Sequence, residues 1–148
     1  MASNWTNGGL KRLLEGSINL TSDTIKVLIL SAAYVPTPDH EYLSDVATYE
    51  VSGTGYVSGF GGSGRKTLAG KTFAKDDTLN EATFDATDPV WAGADFGVAG
   101  YLAVGKEVTS NADSPLLAVL DLGGLNGPLT KGGSFTVQFS TYLLRLRA

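Results

Sequence analysis

A chain of 148 residues favours one domain spanning 1–148 and can bury roughly 70% of the surface it exposes when unfolded. It has no cysteine, which excludes disulfides, thiolate metal sites and a cysteine nucleophile. The net charge is −4 and the densest basic groups are Arg65-Lys66 and Arg145-x-Arg147, so direct nucleic-acid binding is not expected. Only 18% of residues are charged, below the usual quarter, which suggests a surface largely covered by neighbouring subunits.

The opening residues Met1-Ala2-Ser3-Asn4-Trp5-Thr6 are polar and read as lacking a signal peptide. The longest apolar run, 27–33, falls short of a membrane span, so no membrane partner is expected. Residues 6–16 predict a short helix that ends an N-terminal arm covering 1–16. Thr6 is its N-cap, Leu10, Leu13 and Leu14 its apolar stripe, and Gly16 its left-handed terminator. Trp5 and Leu10 occupy the two positions of a hydrophobic staple. Gly8 and Gly9 weaken the first turn, so the helix should depend on docking.

Residues 24–30 are the strongest strand. Ile25, Val27 and Ile29 share one parity and Leu28 and Leu30 the other, which predicts cover on both faces: core on one, the N-terminal helix on the other. Pro36 and Pro38 end it, and 39–46 predicts a helical turn with Tyr42, Leu43 and Val46 inward. Residues 52–64 carry six glycines together with Tyr56 and Phe60. They read as an exposed contact loop too rich in glycine to be core.

From Arg65 the pattern predicts a β meander. Its strands are 66–75, 81–86 (Ala82, Phe84 and Ala86 inward; Glu81, Thr83 and Asp85 outward), a short segment at 89–91 with Trp91 packed, 98–104 and 116–122. A glycine loop follows at 123–133. In 134–147, Phe135, Val137 and Phe139 share one parity and Tyr142, Leu144 and Leu146 the other, which predicts a bulge or bend near Ser140-Thr141. Seven or eight short strands with Gly, Asp, Asn and Pro turns predict a mainly β, antiparallel sandwich or barrel-like fold with one N-terminal helix.

Motifs with chemical meaning are incomplete. Gly59-x-Gly61-x-x-Gly64 matches the dinucleotide fingerprint, but a strand rather than a helix is predicted to follow. The two near-matches to a phosphate loop each place Arg65 at a position the mechanism reserves for lysine or glycine. His40 is the only histidine, so a multi-histidine metal site is excluded and a Ser-His-Asp triad would have to pass through it. Asp76, Asp77, Glu81, Asp85 and Asp88 read as a solvated strand face rather than a calcium site or a carboxylate pair. No catalytic residue, cofactor or metal ligand is assigned.

The segments 4–11, 14–20 and 23–28 combine with Pro38-Asp39-His40, Ser52-Gly53-Thr54-Gly55-Tyr56, 66–72, Ala82-Thr83-Phe84-Asp85-Ala86, Val90-Trp91 and 114–118. Together they resemble a family of small virion proteins encoded among the structural genes of tailed phages and prophages. Residues 57–64 are an insertion relative to the simple pattern. The resemblance implies a non-enzymatic particle component made in the host cytoplasm. A capsid decoration, or cement, protein on the capsid exterior is the first expectation, and a tail or head-fibre component the second. Its partners would be the major capsid protein or other virion subunits, with self-association as a dimer or trimer. Candidate contact residues are Trp5, Leu10, Tyr56, Phe60, Tyr142, Arg145 and Arg147. Two other readings stay open: a glycan-binding module stacking sugars on Trp91, Tyr56 or Phe60, and a hydrolase using Glu81 with Asp85 or Asp88.

Overall fold

The computed structural model describes residues 3–123, 132–139 and 142–147. Those residues form ten strands and one α-helix: β1 (Ser3–Trp5), α1 (Asn7–Leu14), β2 (Ile25–Ser31), β3 (Lys66–Thr67), β4 (Thr72–Asp76), β5 (Glu81–Asp85), β6 (Val90–Ala94), β7 (Ala99–Lys106), β8 (Leu116–Asp121), β9 (Gly133–Thr136) and β10 (Leu144–Arg147). Five strands make one sheet in the order β1-β8-β7-β2-β3, three make a second in the order β10-β5-β4, and β6 pairs with β9. Every pairing is antiparallel. The fold is mainly β and sandwich-like, and the described strands do not close into a barrel.

Both faces of β2 are buried, as its double apolar parity predicts. Ile25, Val27 and Ile29 face the larger core, which also takes Phe84 of β5, Trp91 of β6, Phe135 of β9 and Leu144 of β10. That core fills the space between the five-stranded sheet and the two smaller ones. Leu28 and Leu30 face a second core with Tyr34, Leu43, Val46, Ala103, Leu116 and Val119. The cover on this face is therefore the connection through the 3-10 turns Leu43–Asp45 and Ala47–Tyr49, not the N-terminal helix. Leu43 and Val46 point inward as expected, while Tyr42 is half-buried under the Arg12 guanidinium.

Helix α1 begins as the sequence predicts: the Thr6 side chain accepts from Gly9 N at 2.9 Å, and Gly16 has φ +75° just past the end. Its docking differs. The helix touches β8 through its backbone, because a Cβ on Gly9 would lie 2.6 Å from Leu117 O and 2.7 Å from Leu117 Cα. Gly9 is the buried residue of the helix, and Leu14 is 90% exposed, so the expected leucine stripe does not form. Leu13 and Trp5 pack on the larger core; Leu10 is half-buried outside it.

Three further expectations change. Residues 66–75 are two strands in two sheets: β3 ends at Thr67, and Gly70 turns the chain with φ +59° into β4. In β5, Ala82 is exposed because it lies beyond the core that takes Phe84, and Glu81 on the other face is buried beside Arg145 and Arg147, which pair with its carboxylate. The meander is interrupted, because β9 pairs with β6 and β10 with β5 rather than with each other. Phe135, Val137, Phe139 and Leu144 are buried, but Leu146 of β10, paired with Ala82 near the hairpin tip, is 46% exposed. The predicted bulge at Ser140-Thr141 and most of the 123–133 loop lie outside the described residues.

Candidate interaction surface

The glycine-rich segment is held by a buried ion pair that the sequence reading missed. Arg65 Nη2 lies 2.6 Å from Glu50 Oε2, and Arg65 Nε donates to Glu50 Oε1 at 3.0 Å. The two side chains are 0% and 1% exposed. Arg65 Nη1 donates to Asn111 Oδ1 at 2.7 Å, and Glu107, itself paired with Lys26, lies beyond. The Glu50 carboxylate also accepts from Tyr56 OH at 3.1 Å and from Gly59 N at 3.1 Å. One charged pair thus ties β2, the loop and the turn before β8 to a single point. Replacing such a pair with apolar residues is often neutral, whereas removing one partner alone is strongly destabilising.

Tyr56 is the main correction. It is 0% exposed and belongs to the larger core, stacked on Trp91 at 6.3 Å and edge-on to Phe96 at 5.3 Å. Its hydroxyl accepts from Ile29 N at 3.0 Å while donating to Glu50. Burial, and then the Glu50 charge, push its ionisation far above the ordinary tyrosine range. The glycines around it permit this: Gly64 lies flat against the Tyr56 ring, and Gly64 O accepts from Trp91 Nε1 at 2.6 Å. Only the following part of the segment is an exposed loop. Gly62 N donates to Gly59 O and Gly64 N to Val57 O, which close residues 57–64 on themselves. That closed loop presents Val57, 60% exposed, and Phe60, 43% exposed.

Four of the other candidate contacts come together at the C-terminal strand. Trp5 Nε1 donates to Arg145 O at 2.8 Å, the Arg145 guanidinium lies 5.3 Å from the Tyr142 ring centroid, and both Arg145 and Arg147 pair with Glu81 Oε2, at 3.4 and 3.2 Å. These side chains are half-buried to exposed, so they keep outward surface while holding the N-terminal arm to β10. Leu10 and Phe60 stand on other elements.

The alternative chemistries lack the arrangement they need. Trp91 and Tyr56 are both fully buried, so the aromatic platform of the glycan reading does not form. Glu81 and Asp85 lie four residues apart along one face of β5, about 13 Å by strand rise, beyond the separation of glycosidase carboxylate pairs. Asp88 Oδ1 accepts from Phe139 N at 2.8 Å, which ties the segment before β6 to the one after β9. The Gly59 amide bonds to Glu50 and the Gly62 and Gly64 amides to the loop's own carbonyls, and β3 rather than a helix follows. His40 Nδ1 lies 2.9 Å from Tyr34 OH. Among the described residues no group of three or more His, Asp or Glu is placed to hold a metal ion.

Comparison of the chain with protein-family models, with curated proteins and with solved structures gave no match.

Proposed function

We propose that this chain is a non-enzymatic structural protein of a tailed-phage particle, a decoration subunit that binds and stabilises the major capsid protein lattice. The observation that carries the reading is the closed loop 57–64. It projects Val57 and Phe60 into solvent from a base fixed by the buried Glu50–Arg65 pair. A preorganised loop with an exposed aromatic suits binding to a fixed lattice, because little ordering cost remains on association. The resemblance of the sequence to small virion proteins supplies the choice of partner. The arm-to-strand surface around Trp5, Tyr142, Arg145 and Arg147 is the second contact region in this reading, and self-association of the chain is part of it.

The test is the copy number of the chain in purified particles of the phage that encodes it. A number comparable to the major capsid protein supports decoration; a dozen or fewer supports a tail or head-fibre location instead. Phe60→Ser then reports on the loop. It should leave the melting temperature within about 2 °C, as for an exposed position. It should weaken binding to undecorated capsids by about tenfold or more if Phe60 is a contact anchor.

A further inference from the structure

We infer that β4 is a self-pairing edge, through which two copies of this chain join their three-stranded sheets into one antiparallel six-stranded sheet about a twofold axis at Ala74. The inference names the surface for the self-association in the reading above, yet it needs no particle to be tested.

The two edges of the β10-β5-β4 sheet are treated differently by the fold. At β10 the Arg145 carbonyl is already taken by the Trp5 indole, and the N-terminal arm lies alongside. At β4, residues 72–75 are all exposed, and no described strand pairs with the outer side. An uncovered strand edge carries unpaired amide and carbonyl groups and is a template for another strand. Phe73 stands on this edge, 52% exposed, although its ring is 5.2 Å from that of Phe84 in the core. The next row of the same sheet face, Lys75, Ala82 and Leu146, is exposed as well, so Phe73 has open surface beside it towards the hairpin tip.

The sequence of this edge is complementary to itself in one register. A perpendicular twofold keeps each residue on its own sheet face, so the axis must pass through a residue position. With the axis at Ala74, Phe73 faces Lys75 of the second copy and Thr72 faces Asp76; just beyond β4, Lys71 comes opposite Asp77, each of which also has a partner in its own chain, Asp23 O and Lys75. The cation beside an aromatic face and the opposite charges are all favourable cross-strand pairs. Moving the axis to Phe73 sets Lys75 against Lys71, and moving it to Lys75 sets that lysine against its own copy. A lysine on an edge strand commonly discourages pairing; here it discourages the wrong registers. Five residues make an interface below the roughly 1,200 Å² of stable complexes, so the free dimer is weak and is reinforced where copies sit side by side on a lattice.

The absence of native cysteine makes the register directly readable. Ala74→Cys places one thiol opposite itself across the axis, where paired Cα atoms are about 4.5–5.5 Å apart, within disulfide reach. Thr72→Cys places the two thiols four residues apart along the strand, about 14 Å, out of reach. Under mild oxidation at high protein concentration, Ala74→Cys should form covalent dimer at least about tenfold faster than Thr72→Cys. Circular dichroism of both variants establishes that each is folded. Wild-type protein in sedimentation equilibrium should show a concentration-dependent monomer–dimer equilibrium, and Lys75→Glu should weaken it. Equal cross-linking rates in the two cysteine variants, or wild type that stays monomeric up to millimolar concentration, would overturn the inference. Either result leaves the particle reading to its own copy-number test, and a dimer in solution would stand even if the chain were absent from particles.

Discussion

At Gly9, local propensity and packing oppose each other. Alanine is the better helix former by about 1 kcal/mol, so an isolated α1 would be stabilised by Gly9→Ala. In the folded chain the added methyl meets Leu117 O and Cα at under 3 Å, and it meets backbone that cannot turn aside. We expect Gly9→Ala to destabilise the protein by about 1–3 kcal/mol in urea unfolding. Gly8→Ala should cost less, because its Cβ would meet the Arg12 and Glu41 side chains, whose ends can move. Arg65 is the second residue at which one atom set decides much. Arg65→Met removes one partner of a buried pair and leaves Glu50 charged among Tyr56 OH and Gly59 N. The expected loss is about 3–5 kcal/mol, whereas Arg65→Met combined with Glu50→Gln should recover part of it, since no uncompensated charge remains. If the double variant is as unstable as the single one, the pair's charge is not what matters at this site.

Elements differ in how much of their environment they carry in their own pattern. β2 was legible because apolar residues on both parities leave no exposed face to choose. Its second cover was legible only in part: Leu43 and Val46 read as inward, but nothing in 34–49 says which sheet face they cover. The break between β3 and β4 depends on one glycine at φ +59° in an otherwise strand-like run, and missing it concealed the exposed β4 edge. In the proposed contact surface, Phe60 was read as exposed on its glycine loop and is 43% exposed there. Tyr56 was misread because its glycines indicate close approach rather than exposure, and Glu50–Arg65 escaped notice because fifteen residues and a loop separate the partners. The turn before β8 shows a shorter-range logic. Asp113 accepts from the Thr109 hydroxyl and from Thr109 N and Ser110 N. The Thr109 hydrogen bond, followed by the others, lowers its pKa to about 2. A carboxylate with a depressed folded pKa stabilises its turn above the unfolded value near 4 and ceases to as pH falls through the folded value. Amide shifts of Thr109 and Ser110 should therefore hold down to about pH 3 and titrate together near 2. A midpoint near 4 would show that the carboxylate is not engaged in solution.

The whole molecule is closed by contacts between its ends. β1 pairs with β8, so Ser3 to Trp5 lie beside Ala118 to Leu120, and the Trp5 indole crosses to Arg145 O in the opposite layer. Residues 140 positions apart thus join the five-stranded sheet to the three-stranded one at their rims. Such non-local pairings impose loop-closure entropy before they return stabilisation, which places folding in the slower, millisecond-to-second range of β topologies. The arm should form late, because β1 pairs with β8 and Trp5 with β10, strands that must already be assembled. Trp5→Ala then separates two consequences. Equilibrium stability should fall by about 2 kcal/mol, less than for a fully buried tryptophan because Trp5 is half-buried. The kinetic effect should appear chiefly in unfolding, with the refolding rate little changed, because contacts formed after the transition state accelerate unfolding when removed. Trp91 reports the same reaction from the centre of the larger core, where it is 0% exposed, so its emission change follows global unfolding in the Trp5-free variant. A matching loss in the refolding rate would mean that the arm docks early and helps nucleate the sandwich. In that case the polar N-terminal segment would be part of the folding core rather than a strap laid across it.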